Sequence, residues 1–147
     1  HKEKYVEVGK ALIELHINYE SVPVYEDVQI RMPDKAIYKV QKMKFAKKRD
    51  INGKSVDDKS TIIYNNDIII SNIPEQAYEY TVNGRTAIEW IMDQYQIKTD
   101  KASGIVDDPN EYSNDEKYIF NLLLRIINVS IQTIDLVQSL PKFEIDE

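Results

Sequence analysis

The stretch SNDEKYIFNLLLRIINVSIQTIDLVQSLP, Ser113 to Pro141, repeats apolar residues at three- and four-residue steps for longer than any other part of the chain. Ile119, Leu123, Ile126, Ile134 and Val137 fall along one side, a spacing that predicts a helix of about 25 residues. Ser113 and Glu116 stand in capping-box spacing at its start, and Pro141 stops it. That is one of the longest single elements a small domain holds. At 147 residues and 42% hydrophobic content the chain suffices for one core around it.

The other segments are shorter and change period. EKYVEVGKALIELHINYE aligns Tyr5, Val8, Leu12 and Leu15, a first helix ending near Ile17. Pro23 and Pro33 then limit the chain to a loop with room for a short strand. In AIYKVQKMKFAKK, Tyr38 and Val40 share one alternation phase and Met43 and Phe45 the other, so a strand with a bulge near Gln41 is expected, with Lys39, Lys42 and Lys44 around its apolar positions. An Asn-Gly turn signal follows at Asn52. STIIYNNDIIIS reads as a hairpin turning at Asn65-Asn66-Asp67. Beyond Pro74 the period returns to three and four, with Ile88, Ile91 or Met92, and Tyr95 on one face and Thr86 with Glu89 as a capping box. The fold class is therefore α+β: a small antiparallel sheet, made of the hairpin and a basic strand, against an N-terminal helix, a capped middle helix and a long C-terminal helix.

Composition narrows the function classes. Charged residues make up 30% of the chain, no apolar run approaches the roughly 18 residues that would span a bilayer, and no signal peptide opens it, so a soluble cytoplasmic protein without a membrane partner is expected. There is no cysteine, which removes disulfides and thiolate chemistry. The chain begins at His1 and enters a helical pattern at once, which reads as a fragment cut from something longer, forming a single domain or subdomain over 1–147. Lys35 to Lys59 holds nine basic and three acidic residues, a net of +6, and the total of −6 leaves −12 for the rest. Such asymmetry hints at a charged partner, although a solvated lysine face is the commoner use of lysines.

Familiar catalytic patterns are largely missing. Two histidines without cysteine make a zinc site a poor fit, and four glycines assemble neither a Walker loop nor a dinucleotide loop. Pro33-Asp34 followed by Asp57-Asp58-Lys59 mimics a metal-dependent nuclease pattern, but here the second half is expected in a polar turn, where that chemistry lacks its rigid strand. Asp107, Asp108 and Asn110 can gather around a hard cation or form a side-chain-to-backbone turn, the usual role of Asp-Pro-Asn. Trp90 is expected in the core, and Arg85 with Glu89 as a helix-surface pair.

Three segments in order, GKALIELHINYE, IIYNNDIIISNIPEQAYEYTVNGRTAIEWIMDQYQIKTDKASGIVDDPN and VSIQTIDLVQSLP, resemble the C-terminal specificity region of type ISP restriction-modification enzymes, often labelled predicted helicases. The most specific matches are Tyr80 to Trp90 and Ser103 to Asn110. The resemblance implies the C-terminal fragment of a larger multidomain polypeptide, a target-recognition domain that reads double-stranded DNA and lies beside a methyltransferase domain of the same polypeptide. It would guide adenine methylation and ATP-driven cleavage while catalysing neither. S-adenosylmethionine, ATP and Mg²⁺ are then cofactors of the parent enzyme, with none held by this fragment. Consistently, Asp108-Pro109 continues as Asn110-Glu111, unlike the methyltransferase Asp/Asn-Pro-Pro-aromatic pattern.

From charge and loop character, the DNA-contact candidates are Lys42, Lys44, Lys47, Lys48, Arg49, Asn52 and Lys54. Asn83, Gly84, Arg85, Trp90, Ser103, Gly104, Asp108, Pro109 and Asn110 are read as structural. An alternative makes the chain a scaffold packing on the methyltransferase, and its signature is an exposed apolar patch.

Overall fold

This computed structural model describes residues 17–82 and 84–140, together with Glu3, Val6 and Lys10. The stripe Tyr5, Val8, Leu12 and Leu15, both histidines, Asn83 and Pro141 lie outside the described residues. Glu3, Val6 and Lys10 are helical and exposed, and after helical Ile17 a 3-10 turn covers Tyr19–Ser21.

Four strands form an antiparallel sheet: β1 (Gln29–Arg31), β2 (Lys44–Arg49), β3 (Ser55–Ile63) and β4 (Ile69–Ser71), in the order β1-β4-β3-β2. The β3–β4 turn sits where the Asn-Asn-Asp cluster puts it. The Asn65 side chain accepts the N–H groups of Asp67 and Ile68, so the amide oxygen replaces the backbone acceptors a tight turn lacks. Two further two-stranded ribbons follow, β5 (Thr81–Val82) with β6 (Arg85–Thr86), and β7 (Lys98–Thr99) with β8 (Val106–Asp107). Gly84 and Gly104, at φ of +83° and +74°, occupy the left-handed region in their turns.

Helix α1 (Ala87–Gln94) starts at Thr86, whose hydroxyl accepts the Glu89 N–H at 3.1 Å. Ile88 and Met92 are its buried face, while Ile91 and Tyr95 pack at the core edge. Helix α2 (Tyr118–Gln138) is 21 residues long, shorter than the sequence pattern. No side chain caps it: Ser113 and Asp115 instead accept the N–H groups of Asp115 and Lys117, building turns that consume the expected capping box before the helix begins. By length and composition this helix could cross a bilayer, contrary to the expectation that no run in the chain could. Its apolar positions are however committed to the core, with Leu123 and Ile127 fully buried, Ile134 half-buried and only Val137 of its stripe exposed. Phe120 joins helix to sheet, meeting Tyr38 and Tyr64 edge-on at 5.3 and 5.5 Å.

The strand expected across Ala36 to Lys48 begins only at Lys44, and there is no bulge at Gln41. Ahead of it, the backbone of residues 37–41 is satisfied chiefly by side chains. Asn65 Nδ2 donates to the carbonyls of Ile37 and Lys39, the Tyr64 hydroxyl to that of Tyr38, and Asp67 accepts the Ile37 N–H. Asn110 does both jobs for buried Val40, accepting its N–H at 2.9 Å and donating to its carbonyl at 2.7 Å. Asp108 orients that amide by accepting from Asn110 Nδ2 at 2.7 Å, and also accepts the Asn110 N–H in the 3-10 turn Pro109–Glu111. The Asp-Pro-Asn cluster is thus a turn whose function is to hold a chain segment 70 positions away. The irregularity lies between Phe45 and Ala46, where the register on β3 jumps from Ile62 to Asp58 and Lys59, Ser60 and Thr61 bulge out.

Asn110→Ala leaves two buried backbone groups of Val40 without partners, at about 1–3 kcal/mol each. Urea unfolding is expected to show a loss of about 2–6 kcal/mol with an unchanged slope, because the substitution removes the side-chain partners of Val40 and of Asp108 and not the core. A second expectation concerns Asp100, which accepts from the Ala102 N–H and the Ser103 hydroxyl in the β7–β8 turn. These bonds, the Ala102 one foremost, hold its carboxyl below the usual Asp range. A depressed carboxyl stabilises the turn above the unfolded-state value near about 4 and loses that contribution as pH falls through the folded one. Carboxyl NMR titration should therefore place Asp100 below an ordinary aspartate, and Ser103→Ala should move it back up.

Candidate nucleic-acid interface

Beyond the register break, β2 and β3 continue without a third strand, since β4 pairs only with Ile62 and Ile63. What remains, Ala46–Arg49 against Ser55–Asp58, is a two-stranded ribbon. Cross-strand partners share a face. Ala46, Val56 and Asp58 lie on one, all half-buried, and Lys47, Arg49, Ser55 and Asp57 on the other, all exposed. Exposed Lys48 opposes Val56.

The ribbon closes through a turn organised by Asp50. Its carboxylate accepts the N–H groups of Asn52 and Lys54, both at 2.9 Å, while its own N–H donates to the Lys54 carbonyl and its carbonyl accepts the Gly53 N–H. Arg49 Nη1 donates to the Gly53 carbonyl at 2.8 Å, and Ile51 stands fully exposed at the apex.

The base of the ribbon is clamped from below. Lys59, in the bulge, lies over the rings of Phe45 and Tyr78 at 5.8 and 5.9 Å and pairs with Glu89 of α1 at 3.1 Å. The two rings meet edge-on at 5.8 Å. Burial, reinforced by the charges of Glu89 and Asp58, pushes the Tyr78 hydroxyl well above its usual range, so it stays neutral beneath the lysine.

Next to this base lies a groove of about 510 Å³, between the side-chain-pinned segment and the β3–β4 turn. Lys39, Gln41, Lys42, Lys44, Asn66 and Asp67 are among its lining residues. Lys42 also lines a smaller groove of about 190 Å³ with Arg85 and Glu89.

The sequence candidates therefore separate by their surroundings. Lys42 and Lys44 line the groove, and Lys48, Arg49, Asn52 and Lys54 stand exposed along the ribbon and at its tip. Lys47 is ion-paired with its cross-strand neighbour Asp57, which consumes part of its charge. Lys39 and Asn66 join the site although neither is among the DNA-contact candidates. Lys39 was visible in the same basic run, whereas Asn66 is placed by the turn its neighbours build.

Several sequence expectations change here. Asp57, Asp58 and Lys59 lie in strand β3 and not in a polar turn, because the ribbon extends the hairpin well past the bulge. Their side chains are engaged singly: Asp57 with Lys47, Asp58 with the Ser60 hydroxyl and N–H, and Lys59 with Glu89. The Ser60 bond draws the Asp58 carboxyl below its usual range. Among the described residues no group of three or more histidine, aspartate or glutamate side chains is placed to hold a metal. Arg85 pairs with Asp93 at 3.7 Å and not with the Glu89 carboxylate, which Lys59 occupies. Trp90 is 38% exposed, its ring under the Arg85 guanidinium at 4.8 Å, and so contributes to the surface and not to the core.

Comparison with known proteins places this geometry in context. The family model described as the type ISP C-terminal specificity domain matches residues 1–122. Among solved structures, the ATP-dependent type ISP restriction-modification enzyme LlaBIII bound to DNA is similar at 55% identity, with a TM-score of 0.84 over 99% of this chain and 9% of that one. A nuclease-deletion mutant of the type ISP enzyme LlaGI in complex with a DNA substrate mimic is similar at 53% identity, with a TM-score of 0.83 over 99% of this chain and 11% of that one. The DrdV–DNA complex, at 22% identity and a TM-score of 0.72 over 97% of this chain and 14% of that one, shares the fold. No curated protein matches. This chain thus spans about a tenth of the length of LlaBIII and LlaGI. On the family match and the two alignments over nearly its whole length, the chain belongs to the type ISP C-terminal specificity domain family.

Proposed function

We propose that this chain is the DNA target-recognition part of a type ISP restriction-modification enzyme, directing adenine methylation and ATP-dependent cleavage performed by other parts of a longer polypeptide and catalysing neither. S-adenosylmethionine, ATP and Mg²⁺ belong to those other parts. The observation that carries the reading is the β2–β3 ribbon: an exposed, clamped, two-stranded arm bearing Lys48, Arg49 and Lys54, with a groove lined by Lys39, Lys42 and Lys44 at its foot. A two-stranded ribbon fits the major groove of B-DNA, about 12 Å wide, while lysines beside it meet the phosphates. LlaBIII and LlaGI, similar over almost the entire chain, are described in complex with DNA or a DNA mimic.

The net charge of −6 does not oppose this role, because phosphate attraction is local on the scale of the Debye length, about 8 Å at physiological salt. A second surface supports an additional packing role. Ile105, Val106 and Tyr112 are 68, 56 and 54% exposed in and beyond the β7–β8 ribbon, and exposed apolar side chains there suit packing on the methyltransferase domain of the same polypeptide.

Lys44→Gln, Lys48→Gln, Lys54→Gln is the informative variant, because it removes exposed charge without reversing it. Titrating a mixed-sequence duplex at several salt concentrations should give weaker binding and a salt slope shallower by about 0.9 for each lysine that meets a phosphate. Lys59→Gln should leave the slope unchanged, since that lysine is held by Glu89 and two aromatic rings. Absence of binding by the parent chain even at low salt would leave packing on the methyltransferase as its role.

A further inference from the structure

We propose that the tip of the β2–β3 ribbon is a base-reading element, in which Arg49 addresses the edge of a guanine and Ile51 covers the 5-methyl group of an adjacent thymine in the major groove. This rests on the DNA-recognition reading and goes further by assigning readout to two named side chains.

Three observations converge on the tip. Ile51 is 100% exposed, yet the turn beneath it is fixed by Asp50, whose carboxylate and backbone make four hydrogen bonds to Asn52, Gly53 and Lys54. An isoleucine held out on such a frame cannot retreat from water, and only an external apolar surface relieves its hydration. Arg49 is tied to the same turn through Nη1 and the Gly53 carbonyl, and it makes no ion pair among the described residues. A guanidinium has five donors in a planar fork, so spending one fixes its position and leaves others for the O6 and N7 acceptors of guanine. The neighbouring carboxylate of Asp50 is engaged by two N–H groups, while Lys48 and Lys54 flank the tip as exposed cations.

The surface that complements this arrangement is negatively charged at its rims and presents paired acceptors next to an isolated methyl group. A guanine beside a thymine between phosphate walls has those features, since thymine alone among the four DNA bases places a methyl in the major groove. Carboxylates and apolar side chains of an acidic protein surface would meet the same groups, and it is the DNA-bound relatives that favour a duplex as the partner.

The test selects from a library of random duplexes with the 147-residue chain, with Arg49→Lys and with Ile51→Ala, then compares the duplex favoured by the parent with one in which deoxyuridine replaces thymine. Both substitutions are at exposed positions, and circular dichroism checks that the variants remain folded. The parent should enrich a guanine next to a thymine and bind the deoxyuridine duplex about fourfold more weakly, the worth of one buried methyl. Ile51→Ala should bind both duplexes alike. Arg49→Lys should keep the parental salt slope, because charge is retained, and lose the guanine preference of about tenfold or more that a bidentate contact confers. If the parent binds DNA with the expected salt slope but enriches no motif, or both variants enrich the parental motif and the parent ignores the methyl, the tip reads no bases and the recognition role of the rest of the chain stands. If the parent binds no DNA at any salt concentration, the recognition reading itself falls and takes the tip with it.

Discussion

A single asparagine side chain stands in for a missing β-strand. Val40 is fully buried, and its N–H and carbonyl both end on Asn110, whose amide imitates the peptide group a neighbouring strand would have offered. Asp108 fixes which end of that amide faces which group, and buried Pro109 sets the turn that carries it. The rest of the 37–41 segment follows the same logic, with Asn65, Tyr64 and Asp67 supplying partners from the β3–β4 turn. Release of this segment would free Val40 and Met43 from the core and the Tyr38 ring from Phe120. It would also remove one wall of the lysine-lined groove and the lead into β2. The groove and ribbon are therefore as well placed as these side-chain bonds are strong.

That arrangement explains which parts of the fold the sequence could disclose. Period-based reading works where a segment's backbone is satisfied inside its own element, as in α1, α2 and the β3–β4 turn, because burial then follows a regular repeat. It misplaces Ala36 to Met43, whose alternation is strand-like but whose partners are side chains far along the chain. The same blindness hides the role of Asn110: an Asp-Pro-Asn turn is legible, while a contact across 70 positions is not. Asp57 to Lys59 look like a polar turn for a related reason. Beyond the bulge the ribbon has only one half-buried face, on which Asp58 stands with Ala46 and Val56, so it carries no hydrophobic repeat to reveal a strand. Trp90 misleads in the opposite direction, since its area suggests core burial whereas Arg85 covers its ring at the surface.

For the candidate interface, sequence identifies the cations and structure determines which of them are available. Charge counting treats the lysines from 35 to 59 as equal. In the fold, Lys47 is opposed by Asp57 and Lys59 by Glu89, while Lys39, Lys42 and Lys44 line the groove and Lys48 and Lys54 stand exposed along the arm. An exposed ion pair such as Lys47–Asp57 contributes little to stability. Its effect is to thin the charge on one ribbon face and leave Arg49 as that face's unopposed cation. A uniform positive arm would bind any polyanion in many orientations; an interrupted one favours the orientations in which the remaining cations meet phosphates together.

The bulge then acquires a mechanical role. A two-stranded hairpin with one face half-buried and the other exposed would be marginal in water without further anchoring. Displacing Lys59, Ser60 and Thr61 from the ladder puts Lys59 against Phe45, Tyr78 and Glu89, and lets the Ser60 carbonyl accept the Ile73 N–H, so the arm is anchored to α1 and to the chain after β4 at the point where the sheet ends. At the far end Asp50 performs the corresponding service, its carboxylate accepting the N–H groups of Asn52 and Lys54 while its own backbone bonds to Gly53 and Lys54. An arm fixed at both base and tip loses little conformational freedom when it meets a rigid duplex, so more of its contact energy remains to discriminate one base pair from another. Residues that touch no DNA in this scheme, Lys59 and Asp50 foremost, would thus govern specificity as much as those that do.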